Sequence, residues 1–103
     1  MPNQVQRMVL LNLIVFDQKN IQKFKKTINY VDIVIYDSDK RYIGKCNFFK
    51  SINNLIKEDS IIVIDDIHND SFFIEYVKEK NYKNWFIVES KRNHIVGVIL
   101  PNN

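Results

Sequence analysis

Three apolar runs in this chain each stop at an aspartate, and that repeated ending limits the folds open to it. The runs are Val9 to Phe16 (VLLNLIVF), stopped by Asp17; Tyr30 to Tyr36 (YVDIVIY), stopped by Asp37; and Ser60 to Ile64 (SIIVI), stopped by Asp65 and Asp66. Short runs rich in β-branched and aliphatic residues, with little polar alternation, suit strands buried on both faces. Between the first two, Ile21, Phe24 and Ile28 recur at helical spacing within Lys19 to Ile28. Between the second and third, Phe48, Phe49, Ile52, Leu55 and Ile56 predict a helix within Tyr42 to Lys57. Asp70 or Ser71 can cap a third helix that buries Phe73, Tyr76 and Val77. Trp85 to Glu89 and His94 to Leu100 flank the polar link Ser90 to Asn93, which predicts an antiparallel hairpin ended by Pro101.

The expected order is β-α-β-α-β-α-β-β. Such alternation belongs to an α/β fold with a parallel sheet and helices packed on it. At 103 residues with 46% apolar content, the chain can bury one core. The Phe72-Phe73 pair, Trp85 and Phe86 are expected in that core. A net charge of +3, spread over scattered lysines, points to a solvated surface. No basic stretch interleaved with aromatics marks a nucleic-acid binder. The apolar run near the N-terminus, broken by Asn12, is too short for a membrane span and lacks the layout of a signal peptide. The single cysteine, Cys46, excludes an internal disulfide and a cysteine metal cluster. It falls in the second helical segment, where packing is its expected role, and a lone thiol suits a reducing cytoplasm.

In parallel α/β sheets, ligands bind outside the carboxyl ends of the strands. Asp37, with Asp39, should therefore share an edge with Asp65 and Asp66. If the second and third strands are neighbours, the acids face one another across ~4.8 Å. Carboxylates so placed repel, and a hard cation such as magnesium would relieve the repulsion. Lys40, on the same loop as Asp37, suits a general base in a site that lowers its pKa. A single aspartate at a strand end is more often a helix cap or turn residue; two groups at two strand ends carry more weight. His68 is read as a loop residue and His94 as structural.

The segment Val31 to Tyr42, VDIVIYDSDKRY, resembles the fourth strand and following loop of class I S-adenosylmethionine-dependent methyltransferases. Ser60 to His68, SIIVIDDIH, resembles that family's fifth strand, which ends in an aspartate pair. Val9 to Ile28 is similar to the third strand and its helix, and the closing hairpin to the sixth and seventh strands. The chain is thus similar to the C-terminal half of that family, a partial Rossmann-like sheet. The cation-dependent O-methyltransferases of the catechol and caffeoyl-coenzyme A type look closest in chemistry. Their resemblance implies Asp37, Asp65 and Asp66 as ligands of a divalent cation such as magnesium. It implies Lys40 as the base that deprotonates a small hydroxylated acceptor, and Asp17 with Gln18 beside the adenine of S-adenosylmethionine.

The family's strand order runs 3-2-1-4-5-7-6, and its first strand leads into a glycine-rich cofactor loop. This chain has only Gly44 and Gly97, so that loop cannot be built. Residues 1–103 are expected to form one truncated methyltransferase-like domain, with 1–8 as an N-terminal extension, inactive alone. Three outcomes are open to a sheet without the family's first strands. The first run pairs directly with Val31 to Tyr36, a second chain completes the sheet, or the product is an unstable remnant. A rival reading is a non-catalytic module that completes or regulates a partner carrying the missing N-terminal half. A receiver-type domain also clusters acids, but the closing hairpin argues against it.

Overall fold

The computed structural model describes residues 9–12, 30–37, 40–90 and 92–102, with the backbone alone for 9–12. Its elements are β1 (Val9–Asn12), β2 (Val31–Tyr36), α1 (Tyr42–Ile52), β3 (Ile56–Ile64), α2 (Phe72–Glu79), β4 (Trp85–Glu89) and β5 (Ile95–Ile99). Short 3-10 turns, Asn53–Leu55 and Ile67–Asn69, follow α1 and β3. The strands form one five-stranded sheet in the order β1-β2-β3-β5-β4. β1, β2 and β3 are parallel, and β5 runs antiparallel to both β3 and β4. The predicted α/β class and closing hairpin are therefore present. The expected helix at Lys19 to Ile28 lies outside the described residues, as do Leu13 to Phe16 of the first run.

Of the three outcomes foreseen for the first run, direct pairing is the one found. Val9 lies opposite Ile33 and Asn12 opposite Tyr36. This placement departs from the expected likeness to the family's third strand. β1 sits directly beside β2, and the strand next to the fourth in the family's order is the first.

Both helices lie on one face of the sheet. α1 buries Gly44, Lys45, Phe48, Phe49 and Ile52, a stripe at helical spacing. Its N-cap residue, Arg41, makes no side-chain cap and its first turn carries no acid. The helix therefore depends on burial, at roughly 2 to 3 kcal/mol for each large apolar side chain removed from water. α2 buries Phe72, Phe73, Tyr76 and Val77. Asp70 caps it as expected, its Oδ1 accepting the Phe72 N–H at 2.8 Å. The helices meet through rings, Phe49 to Phe72 at 5.5 Å and Phe49 to Tyr76 at 5.0 Å, and Tyr36 of β2 packs on Phe48 at 5.0 Å. Cys46 is half-buried against this core as a free thiol, in keeping with a packing role.

Two expectations need correction. β3 begins at Ile56, not Ser60. Between Val31, opposite Ile56, and Ile33, opposite Ile61, the register shifts. The extra residues, Lys57 to Asp59, are exposed. The Ser60 hydroxyl closes the gap, donating to the Val31 carbonyl at 2.7 Å and accepting the Lys57 N–H at 3.0 Å. It thereby satisfies backbone groups that a bulge leaves unpaired. The second correction concerns Trp85 and Phe86. Phe72 and Phe73 are core, but Trp85 is 38% and Phe86 44% exposed. Their strand is the last in the sheet, and sequence hydrophobicity does not distinguish an edge from a centre.

Candidate functional site

The carboxyl ends of β2 and β3 meet as expected. Tyr36 pairs with Ile64, and the Asp65 N–H donates to the Tyr36 carbonyl at 3.0 Å. Asp37 and Asp65 are thereby the next residues of adjacent parallel strands. Asp37 is exposed and Asp65 half-buried. Desolvation raises the pKa of Asp65 above its ordinary value, and the neighbouring Asp66 and Asp37 carboxyls raise it further, against a backbone hydrogen bond that lowers it. Two strand ends thus bring like charges together, as the spacing predicts.

Asp66 is built differently. Its φ of 54° and ψ of 47° place it in the left-handed region, where a residue bearing a Cβ is strained by ~1 kcal/mol. That turn swings its carboxylate inward, leaving it 8% exposed. Lys40 meets it there, Nζ to Oδ2 at 3.3 Å, and His94 Nδ1 lies 3.8 Å from Oδ1. Ligand atoms of Asp65, Asp66 and His94 all fall within 4.8 Å of one another. Lys40, which the resemblance names as a base, stands here as the cation of an ion pair with Asp66, its side chain 62% exposed. Asp17, Gln18 and Asp39 lie outside the described residues.

The residue that sequence reasoning missed is Lys45. It sits in α1, 1% exposed. Its Nζ donates to the backbone carbonyl of Asp66 at 3.0 Å and to Asp70 Oδ2 at 3.2 Å. A buried ammonium persists only when paired and hydrogen-bonded. Here it holds both sides of the turn that presents Asp66. The signal in the sequence was a lysine on the apolar side of the α1 stripe, one residue before Cys46. His94 was read as structural. Its approach to Asp66 follows from β5 lying beside β3, which strand spacing alone does not reveal. His68, read as a loop residue, is exposed in the 3-10 turn after β3.

The residues fit a hard cation in part. Among the described residues, the ligand atoms close enough to share one ion are those of Asp65, Asp66 and His94; Asp37, expected as a ligand, neighbours Asp65 but stands outside that group. The Asp66 carboxylate is already held by Lys40, so its use as a ligand requires exchanging that ammonium for the metal. The residues do not fit S-adenosylmethionine alone. Gly44 lies in α1 and Gly97 in β5, and the stretch 13–29 that follows β1 contains no glycine.

No protein-family model matches the sequence, and no curated protein matches it. Among solved structures, the chain is similar to the Methanococcus jannaschii fibrillarin pre-rRNA processing protein. The TM-score is 0.50 and the identity 16%, over 85% of this chain and 44% of that one. The chain therefore spans less than half the length of that protein, and at this identity the likeness is one of fold. The shared fold is α/β with a partial Rossmann-like mixed sheet. No helix among the described residues is long and apolar enough to cross a membrane.

Proposed function

We propose that this chain is the acceptor-side part of a class I S-adenosylmethionine-dependent methyltransferase domain, unable to hold the cofactor alone. When completed, it serves O-methyl transfer to a small hydroxylated acceptor. The observation that carries the reading is the meeting of Asp37 and Asp65 at the carboxyl edge of adjacent parallel strands, in a sheet that closes with a reversed penultimate strand. Asp65, with Asp66 after release from Lys40 and with Asp37 drawn in from the neighbouring strand end, would hold a divalent cation. A cation there would orient an acceptor hydroxyl and lower its pKa. Lys40, once freed from Asp66, would stand at the rim to take the proton. A glycine-rich loop from outside these residues is required for the cofactor, and no transfer step is assigned to these residues by themselves.

A second reading has its own observation. The hydrogen-bonding edge of β2 is already filled by β1. A completing half cannot pair there and would have to add at the outer side of β1. That favours a non-catalytic module with a continuous sheet of its own, which regulates a partner rather than supplying a missing half.

Calorimetric titration of the full chain with S-adenosylmethionine tests the first part. The expected Kd is no tighter than about 1 mM, or about 4 kcal/mol; micromolar binding would overturn the incomplete-site claim. Manganese titration, read by the spin resonance of the free ion, tests the acids. Binding should be lost in Asp65→Ala, and unchanged affinity in that variant removes Asp65 from the site. Absence of manganese binding in the unsubstituted chain would favour the non-catalytic reading.

A further inference from the structure

The outer edge of β4 carries an inference that does not depend on the acidic site. β4 is the last strand of the sheet, and all five of its residues are exposed. Four of them, Trp85, Phe86, Ile87 and Val88, are large and apolar, between 38% and 48% exposed. Edge strands are usually protected by proline, lysine, a bulge or a covering segment. β4 contains no proline, lysine or bulge, and pairs with β5 without a register break.

The hydrogen bonds show which backbone groups are free to pair. The Leu100 N–H donates to the Asn84 carbonyl, and the Ser90 N–H to the His94 carbonyl, both at 2.8 Å. In an antiparallel ladder these pairings recur at every second residue. Residues 84, 86, 88 and 90 therefore turn their N–H and C=O toward β5, and Trp85, Ile87 and Glu89 turn theirs outward. The outward set is symmetric about Ile87.

We propose that β4 pairs antiparallel with β4 of a second copy of this chain, across a two-fold axis at Ile87, joining two sheets into one. In that register, Ile87 exchanges both backbone bonds with the partner's Ile87, and Trp85 and Glu89 do so with the partner's Glu89 and Trp85. All three outward-facing residues of each strand are satisfied. A two-fold centred on Phe86 or Val88 leaves one outward residue of each β4 without a β4 partner. Phe86 falls opposite the partner's Val88, an aromatic–β-branched pair that stabilises neighbouring strands. Beside it, Val98, Val63 and Ile35 continue the same row across the sheet, so the apolar surface extends beyond the seam. Glu89 lies diagonal to the partner's Lys83, within reach of long side chains, and the symmetry makes this opposite-charge contact twice. Self-complementary pairing and charge single out a second copy over an unrelated strand. The seam is small beside a standard interface of ~800 Å² per partner, so a Kd on the order of 10 μM is expected.

Sedimentation velocity on the full chain, from about 1 to 500 μM, brackets that value. A concentration-dependent dimer is expected. A monomer throughout, or open-ended assembly, overturns the proposal. Ile87→Lys sets two like charges at the axis and should leave a monomer with an unchanged far-UV spectrum; a dimer that survives it overturns the proposal. Should that variant unfold, the exposed charge pair decides. Glu89→Lys and Lys83→Glu should each weaken the dimer about three- to ten-fold, and the double exchange should restore it. A double exchange no better than the single changes would place the seam elsewhere.

Discussion

Gly97→Ala isolates a single methyl group, and its sign tests how β5 is packed. Gly97 has no positive φ to accommodate. By backbone entropy alone, alanine in a strand interior should stabilise by ~0.5 to 1 kcal/mol. The side chain opposes this. A Cβ at Gly97 would lie 2.4 Å from Cε1 of Phe73, 2.6 Å from Cδ1 and 2.7 Å from Cζ. Phe73 is 2% exposed, and its ring meets Trp85 edge-on at 5.6 Å. The ring can retreat only by disturbing α2 or Trp85. Overpacking of this kind costs ~1 to 3 kcal/mol. Because it exceeds the backbone gain, a net loss of about 1 to 2 kcal/mol is expected, or roughly 4 to 16 °C in Tm for a domain this size. Equilibrium urea unfolding measures it as a lower midpoint at an unchanged m-value. Phe73→Leu in the alanine background should recover part of the loss, giving a non-additive cycle. If Gly97→Ala is neutral or stabilising, the account of why glycine stands there is refuted.

Two further substitutions probe the acidic edge. Lys45→Met removes a buried ammonium from Asp70 and the Asp66 carbonyl, and should cost about 3 kcal/mol in urea unfolding; Asp70→Asn in that background should return part of it. Asp65 has a raised pKa in the folded state, so the folded form binds its proton more tightly than the unfolded chain. Wild-type stability should therefore fall as pH rises from the ordinary value of 3.8 through the raised one. Asp65→Asn should lack that fall, gaining ~0.5 kcal/mol at pH 7 after solvent screening and nothing at pH 3. Thermal unfolding at the two pH values measures the difference; an equal gain at both refutes the electrostatic cause.

The strands at Val31 and Ile62, both described helices and the hairpin were legible because burial leaves a period in the sequence. Asp37 and Asp65 were legible as partners because parallel neighbours put their carboxyl ends on one edge. The first half of β3 was hidden, since Lys57 to Asp59 bulge into solvent and read as loop. The exposure of Trp85 and Phe86 was hidden because the last strand of a sheet has the same apolar content as an inner one. His94 and Lys45 reach Asp66 only through contacts between elements far apart in the chain, which no local spacing encodes. The slot of β1 depended on which strand was available to pair.

Lys45 makes α1 and the Asp66 turn a single mechanical unit. One ammonium grips the carbonyl of the strained residue and the carboxylate that caps α2. Any shift of the Asp66 backbone must therefore move an ammonium fastened near the start of α1. Phe48 and Phe49 stand on the neighbouring turn of α1, so a backbone shift at Asp66 would reach the aromatic cluster.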